Sequence, residues 1–189
     1  MAQNLSEVDW STLPQPEDDG GADHLAGCAL PDLDLPASTG GTANPSALKG
    51  RGVIYVYPMT GDPNTALPDG WDAIPGARGC TPQSCAFRDH AAELRQAGAA
   101  HLFGLSTQSR AEQAEAAARL HLPFALLSDA RLAFADALDL PRFEAGGAVR
   151  LKRMTLVVDD GRIAHVFYPV FPPDRSAAEA LAWLLAHPA

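Results

Sequence analysis

The chain has 189 residues, of which 47% are hydrophobic, and a formal net charge of −9. This size and composition suit a single globular domain with a substantial core. The sequence has no cluster of Lys and Arg, which argues against nucleic acids and anionic membrane surfaces as partners. No apolar run approaches the roughly 18 residues of a membrane span, and three cysteines are too few for a disulfide-stapled secreted scaffold. No signal peptide is recognised, so we expect a cytoplasmic protein.

The first 22 residues differ in composition from the rest of the chain. They are acidic, contain several Pro and Gly residues and lack periodic apolar positions. We therefore expect a mobile N-terminal extension over residues 1–22 and one folded domain over residues 23–189. In an alternative interpretation, Trp10 and Leu13 dock this extension on the domain or on a partner.

Strand and helix patterns alternate along the domain. The continuous run 53–57, Val-Ile-Tyr-Val-Tyr, lies between a Gly and Pro58 and is typical of a buried central strand. Further strands are predicted over 101–106, 124–127, 154–158 and 163–167, and helices over 81–96, 109–120, 130–138 and 174–187. The expected helix N-caps are Thr81, Ser109 and Asp174, and the expected hairpin turn is Asp160-Gly161. This order predicts an α/β sandwich with a mixed central β-sheet flanked by helices.

The stretch 59–79 is a turn-rich connection with many Pro, Gly and Asp residues. A connection of this length is uncommon inside a compact domain and often has a function. It leads directly to Cys80, at the expected start of a helix. There, free backbone N–H groups and the positive end of the helix dipole favour the thiolate, which is the reactive form of sulfur. Cys80 is therefore the candidate reactive residue.

A second cysteine, Cys85, follows five residues later. On an intact helix, two residues at this spacing have Cα atoms roughly 8–9 Å apart, whereas a disulfide requires less than about 7 Å. A Cys80–Cys85 bond therefore requires at least the first helical turn to unwind. The pair could instead be two small apolar side chains in the core. A zinc site is not expected, because neither Cys-x-x-Cys nor a His pair accompanies them, and Cys28 is expected to be an inert thiol.

A thiolate that reduces a peroxide becomes a sulfenic acid, and it needs a nearby cation to hold the thiolate and polarise the peroxide. Arg suits this role, because its guanidinium is always charged and presents several donors in one plane. The candidate is Arg153, just before the strand predicted over 154–158. Arg78, two residues before Cys80, is the other local candidate, although we expect it to be a solvated loop residue.

Three segments resemble the peroxiredoxins, and most closely the Q-type, or bacterioferritin comigratory, group. They are YVYP at 55–58, GCTPQSCAFRD at 79–89 and RMTLVVD at 153–159. The resemblance extends over about residues 24–187 in the order of the elements. It implies a thioredoxin-like fold, a peroxidatic Cys80, a resolving Cys85 on the same helix and an Arg153 that supports the peroxidatic site.

The chain also departs from the pattern of that family. The family usually has a Pro seven residues before the peroxidatic Cys and a Thr or Ser three residues before it. Here the Pro of the strand end, Pro58, lies 22 residues before Cys80, and Ala77 occupies the hydroxyl position. Either Thr60 or Thr81 supplies the hydroxyl, or the long loop rebuilds the pocket. The pocket residues that the resemblance implies are Pro58, Thr60, Gly79 and Thr81.

The spacing of the two cysteines distinguishes between two candidate functions for this chain. Cys-x-x-Cys is typical of dithiol oxidoreductases, whereas the four residues between Cys80 and Cys85 favour peroxide chemistry. The prediction is a thiol-dependent peroxidase for hydrogen peroxide or organic hydroperoxides that works as a monomer without a metal or other cofactor. A thioredoxin-type dithiol is expected to reduce it again. The alternative is a disulfide reductase or a peroxide-sensing redox module of the same fold without peroxidase turnover.

Overall fold

The structure, a computed structural model, describes residues 8–188. The strands are β1 (Leu35–Pro36), β2 (Thr42–Ala43), β3 (Arg51–Val56), β4 (Ala99–Ser106), β5 (Ala125–Ser128), β6 (Arg142–Ala145), β7 (Ala148–Leu151), β8 (Met154–Asp159) and β9 (Arg162–Phe167). The α-helices are α1 (Cys80–Asp89), α2 (Ala91–Gln96), α3 (Arg110–Arg119), α4 (Ala133–Ala137) and α5 (Ser176–Ala186). Within the described range, no helix is long and apolar enough to cross a bilayer.

The central sheet has the strand order β5-β4-β3-β8-β9. β3, β4 and β5 run parallel, β8 is antiparallel to β3, and β9 is antiparallel to β8. The β8–β9 turn contains Asp160 and Gly161, as predicted from the Asp-Gly pair. The mixed sheet confirms the predicted α/β sandwich.

Side chains of β3 alternate between two apolar layers. Ile54 and Val56 pack on one face of the sheet with Leu25, Phe134 and other buried residues. Val53 and Tyr55 pack on the other face, against residues that include Phe87 of α1, Leu94 of α2 and Leu184 of α5. Since strand side chains point alternately to opposite faces, a strand that is apolar at every position must be covered on both sides. The helix that begins with Cys80 therefore lies against the middle of the sheet.

The prediction of one helix over 81–96 is wrong in two respects. The helix begins one residue earlier, at Cys80, because Gly79 rather than Thr81 is the N-cap residue. It also breaks into α1 and α2 at His90, where φ and ψ are −94° and 3°. A ring nitrogen of His90 lies 2.9 Å from the carbonyl oxygen of Ala86, and a side-chain bond to the preceding turn is a known cause of helix bending.

Two other helix starts can be compared with the prediction. Ser109 caps α3 in a capping box with Glu112, which confirms that prediction. Asp174 does not cap α5, because a 3-10 turn, Pro173–Arg175, comes first and the helix begins at Ser176. The Asp174 carboxylate instead accepts a hydrogen bond from the indole of Trp10.

The helix predicted over 130–138 is shorter than expected, and the hairpin β6–β7 was not predicted. The buried carboxylate of Asp129 accepts hydrogen bonds from the N–H groups of Phe134 and Ala135, so α4 begins only at Ala133. The hairpin occupies a segment whose strands are half-exposed and only four residues long. Such strands carry little periodic signal.

The described part of the N-terminal extension, residues 8–22, makes specific contacts. Trp10 lies edge-on to Phe171 with ring centroids 6.1 Å apart. Asp19 accepts hydrogen bonds from the Lys152 ammonium and the Tyr168 hydroxyl. These contacts correspond to the alternative in which Trp10 docks the extension on the domain, while residues 1–7 lie outside the described residues.

The packing of α2 leads to a stability prediction. Leu94→Ala removes a fully buried side chain, so we expect a loss of about 2–5 kcal/mol in the free energy of unfolding. Leu185→Ala is the matched control, since Leu185 also lies in a helix but is 67% exposed; its effect should stay within about 0.5 kcal/mol. Urea denaturation measures both values. Equal losses in the two variants would contradict the placement of α2 in the core.

Candidate active site

Gly79 fixes the start of the cysteine helix. It adopts φ of 107°, a left-handed conformation that L side chains rarely take. A Cβ placed on Gly79 would also lie 2.6 Å from Cγ of Pro173 and 3.0 Å from two ring carbons of Trp10. Gly is therefore required here both by the backbone conformation and by the close approach of two side chains. The result is that Cys80 becomes the first residue of α1.

The sulfur of Cys80 is buried among polar groups, with 3% of the residue exposed. The backbone N–H of Met59 donates to Sγ at 3.4 Å, and Nη2 of Arg153 donates to Sγ at 3.3 Å. Sγ also lies 3.6 Å from the carbonyl oxygen of Ala77. Two N–H donors, one of them cationic, are placed to stabilise negative charge on this sulfur.

Arg153 connects the loop, the helix and the thiol. Its side chain is 3% exposed and lies directly before β8. Nη2 lies 3.2 Å from the carbonyl oxygens of three successive residues, 76–78, in addition to Sγ of Cys80. Nη1 donates to Oε1 of Gln83, one turn into α1. Acceptors thus surround the guanidinium on several sides. The ammonium group of a lysine could not donate to all of them, because it lacks the planar set of N–H groups.

The other predicted cation, Arg78, has a different partner. Its Nη1 donates to both carboxylate oxygens of Asp72 at 2.7 and 2.6 Å. Its backbone carbonyl oxygen lies 3.2 Å from Nη2 of Arg153. Arg153 is thus the cation that donates to the Cys80 sulfur, whereas the Arg78 guanidinium forms an ion pair with Asp72.

The four predicted pocket residues are not all brought together. Gly79 and Thr81 line a cavity of about 640 Å³ that opens beside Cys80. Thr60 is 4% exposed, and its hydroxyl donates to Oε1 of Gln108 at 3.0 Å. Pro58 is buried just beyond the end of β3 and places Met59 against the sulfur. Of the two residues that carry a candidate hydroxyl, Thr81 therefore lines the same cavity as Cys80.

The long loop 59–79 forms much of the cavity wall. The lining includes apolar side chains of Met59, Leu67 and Trp71, together with Pro82 of α1 and Arg119 of α3. Trp71 is 4% exposed and contacts the ring of Phe143 from β6. The loop is thus a packed part of the site.

Cys85 lies on the same helix and is half-buried. Burial raises the pKa of the Cys85 thiol, and the nearby Arg88 opposes this rise. All three cysteines, including Cys28, are free thiols in this structure. Because α1 is continuous from Cys80 to Asp89, helix geometry keeps the Cα atoms of the pair roughly 8–9 Å apart. The structure therefore represents the reduced state, in which the two sulfurs cannot bond.

Comparison with known proteins assigns the family. The family model described as Redoxin matches residues 25–182. A protein named putative peroxiredoxin from Mycobacterium tuberculosis is 32% identical over 163 residues, which cover 85% of this chain and 96% of that protein. The chain belongs to the peroxiredoxin family. Peroxiredoxin Bcp from Escherichia coli K12 is 29% identical over 86% of this chain and 96% of its own length.

Other relatives agree with this peroxiredoxin assignment and with the Q-type group. Chloroplastic peroxiredoxin Q from Oryza sativa subsp. japonica is 31% identical over 82% of this chain, which spans 64% of that protein. The crystal structure of peroxidoxin BcpB from Mycobacterium tuberculosis has a TM-score of 0.71 and 30% identity, and the match covers 88% of this chain and all of that one. The fold is therefore thioredoxin-like, and the chain is a thiol-dependent peroxidase with a peroxide substrate and a thiol reductant.

Sequence reasoning missed two contributors to the site of this peroxiredoxin. Met59 acts through its backbone N–H, and a backbone donor leaves no side-chain signature in the sequence. Gln83 is fully buried, and its side-chain oxygen accepts a hydrogen bond from Arg153. Its position three residues after Cys80 puts both on one face of α1, and this helical spacing is the signal that could have revealed it.

Proposed function

We propose that this chain is a two-cysteine peroxidase in which Cys80 reacts with the peroxide and Cys85 resolves the product. The observation that carries the proposal is the pair of N–H donors, from Met59 and Arg153, on the sulfur of Cys80. Cys85 is the second thiol on the same helix. The spacing of the two thiols and the names of the relatives favour this function over a disulfide reductase or a redox sensor.

In the first step, the Cys80 thiolate attacks one oxygen of the peroxide. The O–O bond breaks, the sulfur is oxidised to the sulfenic acid, and the other oxygen leaves as water or an alcohol after taking up a proton. The guanidinium of Arg153 stabilises the charge that moves from sulfur to the leaving oxygen. The Thr81 hydroxyl is the donor we assign to the position that Ala77 leaves without one.

In the second step, the Cys85 thiol attacks the sulfenic sulfur of Cys80. The S–O bond breaks, a disulfide forms and one water is released. Because the intact helix separates the two residues, the first turn of α1 must unwind before this step. This motion brings the Cys80 sulfur toward Cys85, which stays on the part of α1 that packs on the sheet.

In the third step, a dithiol of the thioredoxin type reduces the Cys80–Cys85 disulfide by exchange and is itself oxidised to a disulfide. Such reductants are kept reduced in the cytoplasm, and we assign the protein to that compartment. Both thiols belong to one chain, so we propose a functional monomer. Sulfur carries the chemistry of each step, and no cofactor is invoked.

The function test measures peroxide consumption with a thioredoxin, its reductase and NADPH. We expect Cys80→Ser to abolish turnover, because no sulfenic acid can form. Cys85→Ser should stop multiple turnover but still consume one peroxide per chain. Cys28→Ser is the matched control and should keep turnover near that of the unaltered protein. Loss of turnover in Cys28→Ser, or full turnover in Cys80→Ser, would disprove the assigned roles.

A second test separates the two arginines near the thiol. Arg153→Lys keeps one positive charge but loses the planar fork that joins the sulfur, Gln83 and the loop carbonyls, so we expect Cys80 oxidation to slow by about tenfold or more. Arg78→Lys is the matched control, with an expected change below about threefold, since the Arg78 guanidinium binds Asp72. Stopped-flow oxidation by hydrogen peroxide gives both rates. Equal slowing in the two variants would remove Arg153 from its assigned role.

A further inference from the structure

The segment 8–19, here called the N-terminal strap, lies across the structures that hold the reactive thiol. Val8 lines the cavity beside Cys80. Trp10 reaches the residue that caps α1, and Pro16 lies against Gly76, whose carbonyl is one of the Arg153 acceptors. One segment outside the predicted domain therefore covers both the start of the cysteine helix and the loop before it.

The Trp10 ring lies close to the start of α1 and contacts two further side chains. A Cβ on Gly79 would lie 3.0 Å from two carbons of the Trp10 six-membered ring, so the ring rests directly on the backbone of this residue. The indole N–H donates to the Asp174 carboxylate at 2.9 Å, and the ring meets the edge of Phe171. Asp174 and Phe171 thus position the ring, which packs on the backbone of Gly79.

At the other end of the strap, Asp19 forms an ion pair and a hydrogen bond with the domain. Oδ2 of Asp19 accepts from Nζ of Lys152, and Oδ1 accepts from the Tyr168 hydroxyl at 2.7 Å. The hydrogen bonds from Lys152 and Tyr168 hold the pKa of the Asp19 carboxyl well below its usual range. Asp19 is therefore ionised at neutral pH. Between this anchor and Trp10, Pro16 packs at van der Waals distance from the position that a Cβ of Gly76 would occupy.

The position of Trp10 bears on the step in which the helix unwinds. The first hydrogen bond of α1 runs from the N–H of Gln83 to the carbonyl oxygen of Gly79. Disulfide closure must break this turn, and the Gly79 backbone cannot move toward solvent while the Trp10 ring rests on it. Loss of the Trp10 contact is therefore part of the free-energy cost of closure.

We propose that Trp10 is a positioning residue that restrains the first turn of α1 and so slows closure of the Cys80–Cys85 disulfide. This inference rests on the two-cysteine function proposed above and adds a control on its second step. A slower closure lengthens the life of the sulfenic acid. During that time a second peroxide can oxidise it to the sulfinic acid, with release of water or an alcohol. The strap thus sets the peroxide concentration at which the enzyme is inactivated.

The experiment compares Trp10→Ala, Trp10→Phe and Ser11→Ala in the full chain. Ser11 is the matched control, because it lies in the same 3-10 turn and its hydroxyl bonds Asp9 rather than the domain. Rapid mixing with hydrogen peroxide followed by acid quench and mass spectrometry separates two rates, namely Cys80 oxidation and disulfide closure. Inactivation by excess peroxide during turnover gives the third readout.

For Trp10→Ala we expect closure to be faster by about threefold or more, with Cys80 oxidation within about twofold of the unaltered protein. The peroxide concentration that inactivates half of the enzyme should rise in proportion to the rate of disulfide closure. Trp10→Phe keeps a ring over Gly79 but loses the indole donor, so its closure rate should lie between those of Trp10→Ala and the unaltered protein. The closure rate of Ser11→Ala should match that of the unaltered protein. A general loosening of the fold would slow oxidation as well, so the split between the two rates distinguishes restraint from structural damage.

An unchanged or slower closure in Trp10→Ala overturns the inference. If that variant does not fold, Asp174→Asn tests the same restraint, because it removes the charge from the acceptor of the indole bond and should accelerate closure to a smaller extent. An unchanged closure rate in Asp174→Asn would then overturn it. Absence of a Cys80–Cys85 bridge in the unaltered protein would contradict the proposed function itself, whereas a bridge that closes equally fast in every variant would contradict only the role of Trp10.

Discussion

The buried guanidinium of Arg153 is the interaction on which the site depends. A cation with only 3% of its surface exposed must be compensated by protein groups, because an uncompensated buried charge is strongly destabilising. The compensation comes from three loop carbonyls, the Gln83 amide oxygen and the Cys80 sulfur. A single side chain before β8 therefore fixes the end of the long loop, the first turn of α1 and the reactive atom relative to one another.

A second constraint is that both thiols belong to one helix. The packing around the Cys80 sulfur, with Gly79 at the cap and Arg153 on the sulfur, also keeps Cys85 out of bonding range. Deeper in the same helix, the Tyr55 ring stacks on Phe87 at a centroid distance of 4.4 Å, and the Tyr55 hydroxyl donates to Ser84. These contacts hold the middle of α1 on the sheet, so unwinding can be confined to the residues before it. The proposed catalytic cycle thus alternates between a helix that favours oxidation of Cys80 and an unwound first turn that favours attack by Cys85.

The sequence was sufficient for the fold class, because strand–helix alternation is a local pattern, and the roles that it indicates for Cys80, Cys85 and Arg153 stay predictions. It was insufficient where long-range contacts decide the outcome. Thr60 was a candidate for the missing hydroxyl, yet its hydroxyl donates a hydrogen bond to Gln108, 48 residues away. Asp174 has the composition of an N-cap, yet it bonds Trp10, 164 residues away. Such pairings depend on how the chain folds back on itself, and no spacing within a single segment reports them.

The two-cysteine cycle can be tested by treating the reduced protein with one equivalent of hydrogen peroxide and mapping its thiols by mass spectrometry of proteolytic peptides. We expect the loss of two free thiols per chain, a Cys80–Cys85 bridge and an unmodified Cys28. In Cys85→Ser, the same treatment should leave a sulfenic acid on Cys80. A sulfenic acid on Cys85 in the unaltered protein, or a bridge that contains Cys28, would contradict the central claim that Cys80 is oxidised first and then closes on its neighbour along the helix.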